Sequence, residues 1–519
     1  MNGADALCDT LLTNGVDTCF ANPGTSEMHF VAALDRKPAM RCVLGLSEGV
    51  VTGMADGYAR MTEKPAATLL HLGPGLANGL ANIHNAKRAN TPMINVVGDH
   101  ASYHLALDAP LTSDIESLAR PMSHWVRRVA DAADVSRAAA EAVAVATTPP
   151  GRIATLILPA DAAWNDAPAV IAGAERAPAW RPDEARVREA AQALRDGRSA
   201  GHDTVIMLSG TALRADALAI AGRIAAATGA RLLAQQSNGR CERGAGRVAL
   251  DRVPYVVDRA LAVFANTAQV ILIGAKAPVA FFAYPGKPGK ILPPACRVIE
   301  MAKPGDDLDA ALQALADAVG AGTDVAPAVA PHAPPALPEG ALTADAIARS
   351  IAAQLPEQAI LCDESVSSGR DFFPASAGAA PHDFLQLTGG AIGLGLPLAT
   401  GAAIASPDRK VIAMQADGSG MYTVQALWTQ ARERLDVVNV IFANRRYAIL
   451  HNELKMVGAA TPGHNAGRML DLVDPALDWV RLANGLGVEA ARASDAAGFN
   501  DLLRGALRQR GPFLIEALI

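Results

Sequence analysis

The sequence is poor in the residues that mark several large classes of protein. Its 519 residues contain only six cysteines, at positions 8, 19, 42, 241, 296 and 362, and no Cys-x-x-Cys pair. Scattered cysteines of this kind give neither a disulfide framework nor a zinc site, and they favour a reducing compartment. Aromatic residues make up 4% of the chain, the formal net charge is −6, and no basic cluster stands out. Nucleic acid and anionic membrane surfaces are therefore not expected as partners.

Long apolar runs are also missing. No run is long enough to span a bilayer, and the N-terminus lacks a basic stretch followed by an apolar core. We therefore expect a soluble, cytoplasmic protein with no membrane partner. Hydrophobic residues nevertheless make up 50% of the chain, in short runs. At roughly 100–200 residues per domain, this length corresponds to about three domains, each with its own core.

Two proline-bearing segments divide the chain. ERAPAWRPDEA (175–185) is charged, and AGTDVAPAVAPHAPPALPEGALT (321–343) is rich in Ala and Pro, which favours an extended, semi-rigid linker. In the three parts, 1–175, 186–320 and 343–519, continuous apolar runs alternate with helical patterns, as in parallel sheets covered on both faces. We predict an α/β fold of three doubly wound parallel-sheet domains. The Gly-rich segments LHLGPGLANGLANIHNA and LTGGAIGLGLPLATGAAIA suggest that the first and third domains are related.

The stretch VIAMQADGSGMY (411–422) ends an apolar strand in Asp417, Gly418 and Ser419. An amphipathic helix, MYTVQALWTQARERL, and a strand ending at Asn444 should follow. If the two strands are parallel neighbours, Asp417 and Asn444 meet about 5 Å apart at one sheet edge, as a site for Mg²⁺ and phosphate. Gly418 would let the phosphate approach, and Ser419 would cap the helix. A simple turn explains either feature alone, but the two together favour a site.

The segments ADGS and FANRRY resemble the cofactor motif of thiamine-diphosphate enzymes, with Ala416 in place of the usual glycine. The resemblance covers nearly the whole chain, in the order pyrimidine-binding domain, middle domain and diphosphate-binding domain. It is greatest to the benzoylformate decarboxylases, and next to the acetolactate synthase catalytic subunits. It implies that Mg²⁺ is bound by the side chains of Asp417 and Asn444 and the main-chain oxygen of Arg446. It also implies that the cofactor contacts Gly418, Ser419 and Tyr447.

Other site residues follow from the same resemblance. Glu48, in GLSEGVVTGMADGYARM, starts a helix, where the helix dipole alone would favour a carboxylate. In the family this glutamate hydrogen-bonds the cofactor aminopyrimidine and so promotes loss of the C2 proton, which gives the ylid that attacks a 2-oxo acid. The Gly390 carbonyl would accept from the cofactor amino group, and Ile392 would lie beneath the bent cofactor. Close packing of helix on strand also explains the glycines.

His71 and Thr25 link the chain to the decarboxylases in particular. His71, in TLLHLGPG, matches a histidine that acetolactate synthases lack and would relay protons, although a structural role is the common one for a single histidine. Thr25, in NPGTSE, would orient the substrate carboxylate or merely cap a helix. The second active-site histidine of the decarboxylases is absent, because GAKAPVAFFAYPG has Phe281 and Phe282. The candidates to replace it are His100, His104, His451 and His464.

These features predict a thiamine-diphosphate and Mg²⁺ enzyme that acts on a 2-oxo acid by decarboxylation or carboligation, with a small-molecule 2-oxo acid or aldehyde as substrate. Leu450, after the metal motif, is apolar as in benzoylformate decarboxylase. The alternatives are an acetolactate synthase catalytic subunit and a cofactor-binding regulatory protein, although binding alone does not need Glu48. FAD is unsupported, because SNGRCERGAG lacks the middle-domain features of the synthases. In the family, facing sheet edges come from different chains, so the resemblance implies a homodimer or homotetramer with sites at the dimer interface.

Overall fold

The first of three sheets is wholly parallel, with strand order β2-β1-β3-β4-β6-β5. The computed structural model describes residues 1–168, 170, 173–175, 177–459 and 461–519. The strands are β1 Thr18–Asn22, β2 Arg41–Leu44, β3 Ala66–Leu70, β4 Met93–Asp99, β5 Trp125–Arg128 and β6 Ile153–Pro159. The helices are α1 Gly3–Thr13, α2 Met28–Asp35, α3 Glu48–Thr62, α4 Leu72–Ala89, α5 Ile115–Ala119, α6 Val135–Ala146 and α7 Ala160–Trp164.

The middle sheet is parallel as well, in the order β10-β8-β7-β11-β12. The strands of this segment of the chain are β7 Asp203–Leu208, β8 Arg231–Ala234, β9 Cys241–Arg243, β10 Asp251–Arg252, β11 Thr267–Ile273 and β12 Arg297–Ala302. Its helices are α8 Glu184–Ala200, α9 Ala215–Thr228, α10 Val257–Phe264 and α11 Leu308–Val319. β9 leaves this sheet and joins the third one.

The third sheet has the order β17-β18-β16-β15-β13-β14-β9. Its own strands are β13 Ala359–Glu364, β14 His382–Gln386, β15 Val411–Ala416, β16 Val437–Ala443, β17 Glu489–Ala493 and β18 Phe513–Leu518. The helices are α12 Ala344–Gln354, α13 Phe372–Ala375, α14 Gly395–Ala405, α15 Asp417–Gly420, α16 Ala426–Arg432, α17 Ala448–Met456, α18 His464–Leu470, α19 Trp479–Gly485 and α20 Ala496–Arg508. The α/β class is therefore confirmed, but this sheet is not wholly parallel, because β9 runs antiparallel to β14 and covers an edge that would otherwise be unpaired.

The first and third domains share one topology. When the strands of each domain are numbered along the chain, and the added β9 is set aside, both sheets read 2-1-3-4-6-5. This order supports the relation that the Gly-rich segments indicate. Arg176, in the predicted linker 175–185, lies outside the described residues, and the predicted domain boundaries stay predictions. Among the helices of the described residues, none combines the length and the apolar character needed to cross a membrane.

Equivalent helices of the two outer domains pack directly on each other. A Cβ atom at Gly57 of α3 would lie 2.1 Å from the Leu398 carbonyl oxygen, and one at Gly401 of α14 would lie 1.9 Å from the Met54 carbonyl oxygen. Only glycine leaves room for backbones this close. In this arrangement the N-terminus of α3 lies near the segment before α14, because the Asn82 amide donates to the carbonyl oxygens of both Gly49 and Gly393.

A buried ion pair on α3 connects all three domains. Arg60, 5% exposed, donates to both Asp56 oxygens, at 2.8 and 2.6 Å. The same guanidinium donates to the carbonyl oxygens of Gly239 in the middle domain, at 3.3 Å, and Gln386 in the third domain, at 2.7 Å. Because a buried charge is tolerated only when paired and hydrogen-bonded, this cluster fixes α3 against the rest of the chain.

Candidate active site

The predicted metal site lies at the carboxyl edge of the third sheet. β15 and β16 are parallel neighbours, with Ala416 opposite Phe442, so the residues that follow both strands meet there. The Oδ2 atom of Asp417 accepts from the Arg445 main-chain N–H at 2.6 Å, and its Oδ1 atom accepts from the Gly418 N–H at 2.8 Å. The expected strand–helix–strand unit is therefore present, and it brings Asp417 to the segment that begins at Asn444.

The oxygen atoms available at this edge fit a hard cation. Asp417 is 2% exposed, and burial raises the pKa of its carboxyl although main-chain N–H donors oppose the shift. Asn444 is held by its Oδ1 atom, which accepts from the Arg446 N–H at 3.1 Å. In the described part of the chain no group of three His, Cys, Asp or Glu residues could hold a metal alone. A hard cation here would combine one carboxylate with amide and carbonyl oxygens, and would need phosphate oxygens as further ligands.

Ser419 does not cap a long helix, so that prediction is wrong. Its hydroxyl donates to the Ala416 carbonyl at 3.2 Å and accepts from the Gln415 amide at 2.6 Å. The expected helix 421–435 is present only as α16, after the single turn of α15. The reason is tertiary, because the Thr423 hydroxyl donates to the Gly393 carbonyl at 2.9 Å and ties this segment to the neighbouring loop.

That neighbouring segment, residues 389–395, connects β14 to α14 and is called the glycine loop below. It contains Gly390 and the half-buried Ile392, and Gly390 has a φ of +78°. Among the described residues no hydrogen bond reaches the Gly390 carbonyl, whereas the N–H groups of its neighbours Gly389 and Ala391 are bonded. A free carbonyl in a loop fixed on both sides is the acceptor that an amino group of a bound cofactor would use.

Tyr447 lies over the turn that follows Asp417. A Cβ atom at Gly418 would stand 2.5 Å from the Tyr447 ring, so glycine is needed for the two to approach. Burial raises the pKa of the Tyr447 hydroxyl. The ring and the glycine thus form one side of the groove beside the Asp417 carboxylate, where a phosphate group would approach the backbone.

Glu48 is the first residue of α3, as predicted, and it is 9% exposed. Its Oε2 atom accepts from the Asn78 amide of α4 at 3.1 Å. A Cβ atom at Gly75 would lie 2.9 Å from its Oε1 atom, so the carboxylate packs against the first turn of α4. Glu48 therefore stands at the carboxyl edge of the first sheet with a fixed orientation.

His71 directly follows β3 at the same edge and is paired with a carboxylate, Glu27, that is not among the site residues predicted from the sequence. Its Nδ1 atom lies 2.8 Å from the Oε2 atom of Glu27, which is 3% exposed. Glu27 also accepts from the Gly24 N–H at 2.7 Å and from the Ser26 hydroxyl at 2.5 Å. The only sequence signal for Glu27 is a carboxylate closing NPGTSE. Thr25 is exposed, and its role stays a prediction.

Of the four other histidines considered, His100 is best placed to act with this pair. It follows β4, the next strand of the same edge, and its Nε2 atom is buried without a partner among the described residues. The end of β4 reaches Glu27, because a Cβ atom at Gly98 would lie 1.8 Å from its Oε1 atom. His104 lies against His100, with ring centroids 5.5 Å apart. His451 and His464 belong to α17 and α18 of the third domain, and His451 is bound to a carboxylate.

The middle domain covers the glycine loop with aromatic side chains. The Phe281 ring comes within 2.8 Å of the position that a Cβ atom of Gly390 would take. Phe281 packs against Phe282 and Tyr255, with ring centroids 4.9 and 5.1 Å away. The Tyr284 hydroxyl donates to Glu453 of α17 at 3.1 Å, which joins this cluster to the third domain. The segment that lacks the second histidine therefore presents an apolar wall.

A cavity of about 1060 Å³ lies between the first and middle domains and reaches Phe281 and, in the glycine loop, Gly389. Ser209, Gln235 and Lys276, which follow strands of the middle sheet, line it, and so does Arg88 of α4. The cavity does not include Glu48 or Asp417. The proposed catalytic groups lie instead at the carboxyl edges of the two outer sheets, where doubly wound folds bind ligands.

The third domain contributes the buried carboxylate of Asp417 and the free carbonyl of Gly390, and the related first domain contributes Glu48 at the start of a helix. This arrangement is typical of enzymes that hold a diphosphate cofactor between two domains. Residues 1–118 match the thiamine pyrophosphate enzyme N-terminal TPP-binding domain, and residues 374–517 match the C-terminal TPP-binding domain. The chain belongs to the thiamine pyrophosphate enzyme family, and thiamine diphosphate is its cofactor.

Proteins similar to this chain match it over nearly its full length. A candidate acetolactate synthase large subunit, IlvX, of Mycobacterium tuberculosis is 51% identical over 520 residues, which cover 100% of this chain and 99% of the relative. Benzoylformate decarboxylase of Pseudomonas aeruginosa is 30% identical over 98% of this chain and 97% of that protein. The structure of 4-hydroxybenzoylformate decarboxylase from Rhodococcus jostii has the same fold, with a TM-score of 0.85, 24% identity and coverage of 99% and 98% of the two chains.

Proposed function

We propose that this enzyme decarboxylates a 2-oxo acid with a bulky apolar side chain and releases the aldehyde. The observation that carries the proposal is the His71–Glu27 pair, in which a buried carboxylate 2.8 Å from Nδ1 orients an imidazole at the edge that also carries Glu48. The name of the Pseudomonas relative supports the same reaction class.

The chain's own groups suffice to hold the cofactor and its metal. Asp417, Asn444 and the Arg446 carbonyl would bind Mg²⁺, with Gly418 and Tyr447 beside the diphosphate. The free carbonyl of Gly390 would accept from the aminopyrimidine, Ile392 would support the cofactor from below, and Glu48 would exchange a proton with it. When bound, thiamine diphosphate would supply an acidic C2–H group and a thiazolium ring that accepts the electrons left by CO₂.

Delivery of a proton distinguishes release of the aldehyde from its ligation to a second substrate. The balanced reaction is R–CO–COO⁻ + H⁺ → R–CHO + CO₂, so one proton must reach the carbon that carried the carboxylate. His71 would deliver it, oriented through Nδ1 by Glu27, so that Nε2 is free for the transfer. His100, whose Nε2 atom has no partner among the described residues, would be the second proton carrier in place of the histidine that the middle domain lacks.

Apolar side chains set the substrate class that we propose. Phe281 and Phe282 are 41% and 51% exposed beside the glycine loop, and Leu450 of α17 is 43% exposed. Exposed apolar side chains beside a catalytic edge favour an apolar substituent on the 2-oxo acid over a methyl group or a charged group. Thr25 would orient the substrate carboxylate.

A second candidate function is acetolactate synthesis, which the name of the 51%-identical relative favours. The two functions are separated by incubating the holoenzyme with pyruvate or benzoylformate and measuring CO₂, aldehyde and acyloin. We expect benzoylformate to give CO₂ and aldehyde in equal amounts, and pyruvate to react slowly. Acetolactate from pyruvate as the main product would contradict the proposal.

Replacing His71 with alanine should slow aldehyde release by about 10²-fold or more, while cofactor affinity stays unchanged. Glu27→Gln should give a smaller loss, because the imidazole remains but loses its orienting carboxylate. Steady-state rates on the best substrate and calorimetric titration with thiamine diphosphate check both variants. His332→Ala, a histidine of the exposed linker region, is the control. An unchanged rate in His71→Ala would return this residue to a structural role.

The assembly is proposed to be at least a dimer, most simply a homodimer or homotetramer with the sites at the dimer interface. Both carboxyl edges expose large apolar side chains in the single chain, among them Leu46 at 43%, Tyr103 at 71%, Tyr422 at 58% and Met469 at 70%. Large apolar side chains exposed at the two edges where ligands would bind favour association with a second copy. Within one chain, the first and third domains contact each other through α3 and α14. A second copy would cover the exposed carboxyl edges of their sheets and pair Glu48 of one chain with Asp417 of the other.

Mixing two inactive variants tests this arrangement. Glu48→Gln and Asp417→Ala proteins, each inactive alone, are combined under subunit exchange. A mixed dimer would then have one site with both defects and one with neither, so activity should return to about a quarter of the wild-type value, because half of the dimers are mixed at equal amounts. Native mass measurements establish the exchange. An exchanged but inactive mixture would mean that each site is built within one chain.

A further inference from the structure

Three asparagines form a row on one face of α4. Asn78, Asn82 and Asn85 are four and three positions apart, a spacing that brings side chains to the same side of a helix. Asn82 and Asn85 are 2% and 0% exposed. Burying amide groups is unfavourable unless their hydrogen bonds are made, so the partners of this row indicate what it is for.

The N-terminal end of the row holds the glutamate. The Asn78 amide donates to the Oε2 atom of Glu48 at 3.1 Å. One turn further on, the Asn82 amide donates to the Gly49 carbonyl at 2.8 Å and to the Gly393 carbonyl at 3.2 Å. A single side chain therefore contacts both the residue after Glu48 and the glycine loop of the third domain.

The C-terminal end of the row holds the glycine loop on both sides of Gly390. The Asn85 oxygen accepts from the N–H groups of Gly389, at 3.1 Å, and Ala391, at 3.3 Å. Its amide donates to the Ala391 carbonyl at 2.7 Å and to the Asn82 oxygen at 2.9 Å. The carbonyl of Gly390 stays free between these bonds.

Glu364 holds the other end of the loop from within the third domain. It is 1% exposed, and its carboxylate accepts from the main-chain N–H groups of Gly393, at 2.5 Å, and of Gly395. Burial raises the pKa of this carboxyl to about 7, although the N–H donors oppose the shift. Burying a carboxylate here is costly, and within the described residues its hydrogen bonds go to the glycine loop and to nearby Gln415.

We propose that the asparagine row and Glu364 are positioning residues for cofactor activation. They set the Glu48 carboxylate and the free Gly390 carbonyl, the two groups that would contact the aminopyrimidine, and so this inference rests on the proposed function. Catalytic groups must be held within about 0.5 Å of their productive places, which the loop's own glycines cannot ensure. In the proposed dimer, Glu48 and the glycine loop of one chain serve different sites, so loss of the row affects both sites.

The test separates positioning from folding by measuring exchange of the cofactor C2 proton in D₂O by NMR, with the Kd for thiamine diphosphate from calorimetry. Asn78→Ala should slow exchange by at least about tenfold and change Kd by less than about threefold, because the glutamate loses its donor. Asn85→Ala and Glu364→Gln should slow exchange similarly and also weaken binding, because the loop loses one of its two attachments. The milder variant Asn85→Asp keeps the accepting oxygen and should give an intermediate loss.

Two buried polar residues of the third domain serve as controls. Asn500, 6% exposed, donates to the Pro338 carbonyl at 3.0 Å, and Glu516, 0% exposed, is bound by Arg492. Asn500→Ala and Glu516→Gln should lower the Tm as much as the test variants do, yet leave exchange unchanged. If the asparagine and Glu364 variants also left exchange unchanged, the row would be a scaffold only. If wild-type protein with bound cofactor showed no accelerated exchange, the proposed function itself would fail.

Discussion

Asp417→Ala protein should lose thiamine diphosphate during dialysis, with affinity reduced about 10²-fold or more, equivalent to about 2.7 kcal/mol. The reason is the placement of the carboxylate, which is 2% exposed at the carboxyl end of β15. A buried carboxylate whose pKa is raised by burial is costly in the free protein, and a cation with its diphosphate offsets that cost. Without Asp417 the cation would not be held, and the negative charge of the diphosphate would not be compensated.

Graded variants make this result specific. Asp417→Asn keeps the shape and one oxygen that can accept from the Arg445 N–H, so it should fold normally and still bind the cofactor weakly. Asn444→Ala should cost less than either Asp417 variant, since water can replace a neutral ligand of Mg²⁺. Calorimetry with thiamine diphosphate, with and without Mg²⁺ and after a chelator, measures the series. Asp408→Ala, an exposed aspartate of the same domain, is the control.

The metal proposal has a clear contrary outcome. Wild-type protein freed of metal by a chelator should bind thiamine diphosphate no better than Asp417→Ala. Equal cofactor affinity with and without divalent metal would mean that the carboxyl edge of the third sheet holds no cation, and Asp417 would then serve only to accept the N–H groups of Gly418 and Arg445.

Glu48→Gln should reduce turnover by about 10²–10⁴-fold while the cofactor still binds. The side chain starts α3, is 9% exposed and is fixed by Asn78, so an amide of the same shape should take the same place. An amide cannot exchange a proton with the aminopyrimidine. Kinetics should therefore show a loss in kcat, with little change in the Kd for thiamine diphosphate.

Two measurements separate this role from a structural one. Exchange of the cofactor C2 proton, followed by NMR, should fall together with kcat in Glu48→Gln. Glu63→Gln, at the C-terminal end of the same helix, removes an exposed carboxylate paired with Arg214 and should leave exchange unchanged. Wild-type exchange in Glu48→Gln protein would show that another group activates the cofactor.

Much of the fold could be predicted because its signals are local. Apolar runs such as residues 411–416 and 437–443 are strands in the structure, and the Asp and Asn that follow them had to meet once those strands were parallel neighbours. The start of α3 at Glu48 was equally local. Short strands such as β5 (WVRR) and β17 (EAARA) contain no continuous apolar run, so this signal does not predict them.

The sequence by itself determined the three α/β domains, the relation between the outer two, and the carboxylate, amide and glycine residues at the strand ends, because periodicity and strand-end chemistry act over a few residues. Only the tertiary structure decided which side chains meet. Glu27 reaches His71 across 44 positions, and Asn85 reaches Ala391 across 306. The same packing explains why α15 has only one turn, since the Thr423 hydroxyl just beyond it donates to the Gly393 carbonyl in the glycine loop. Such pairings depend on how domains pack, and no local pattern encodes them.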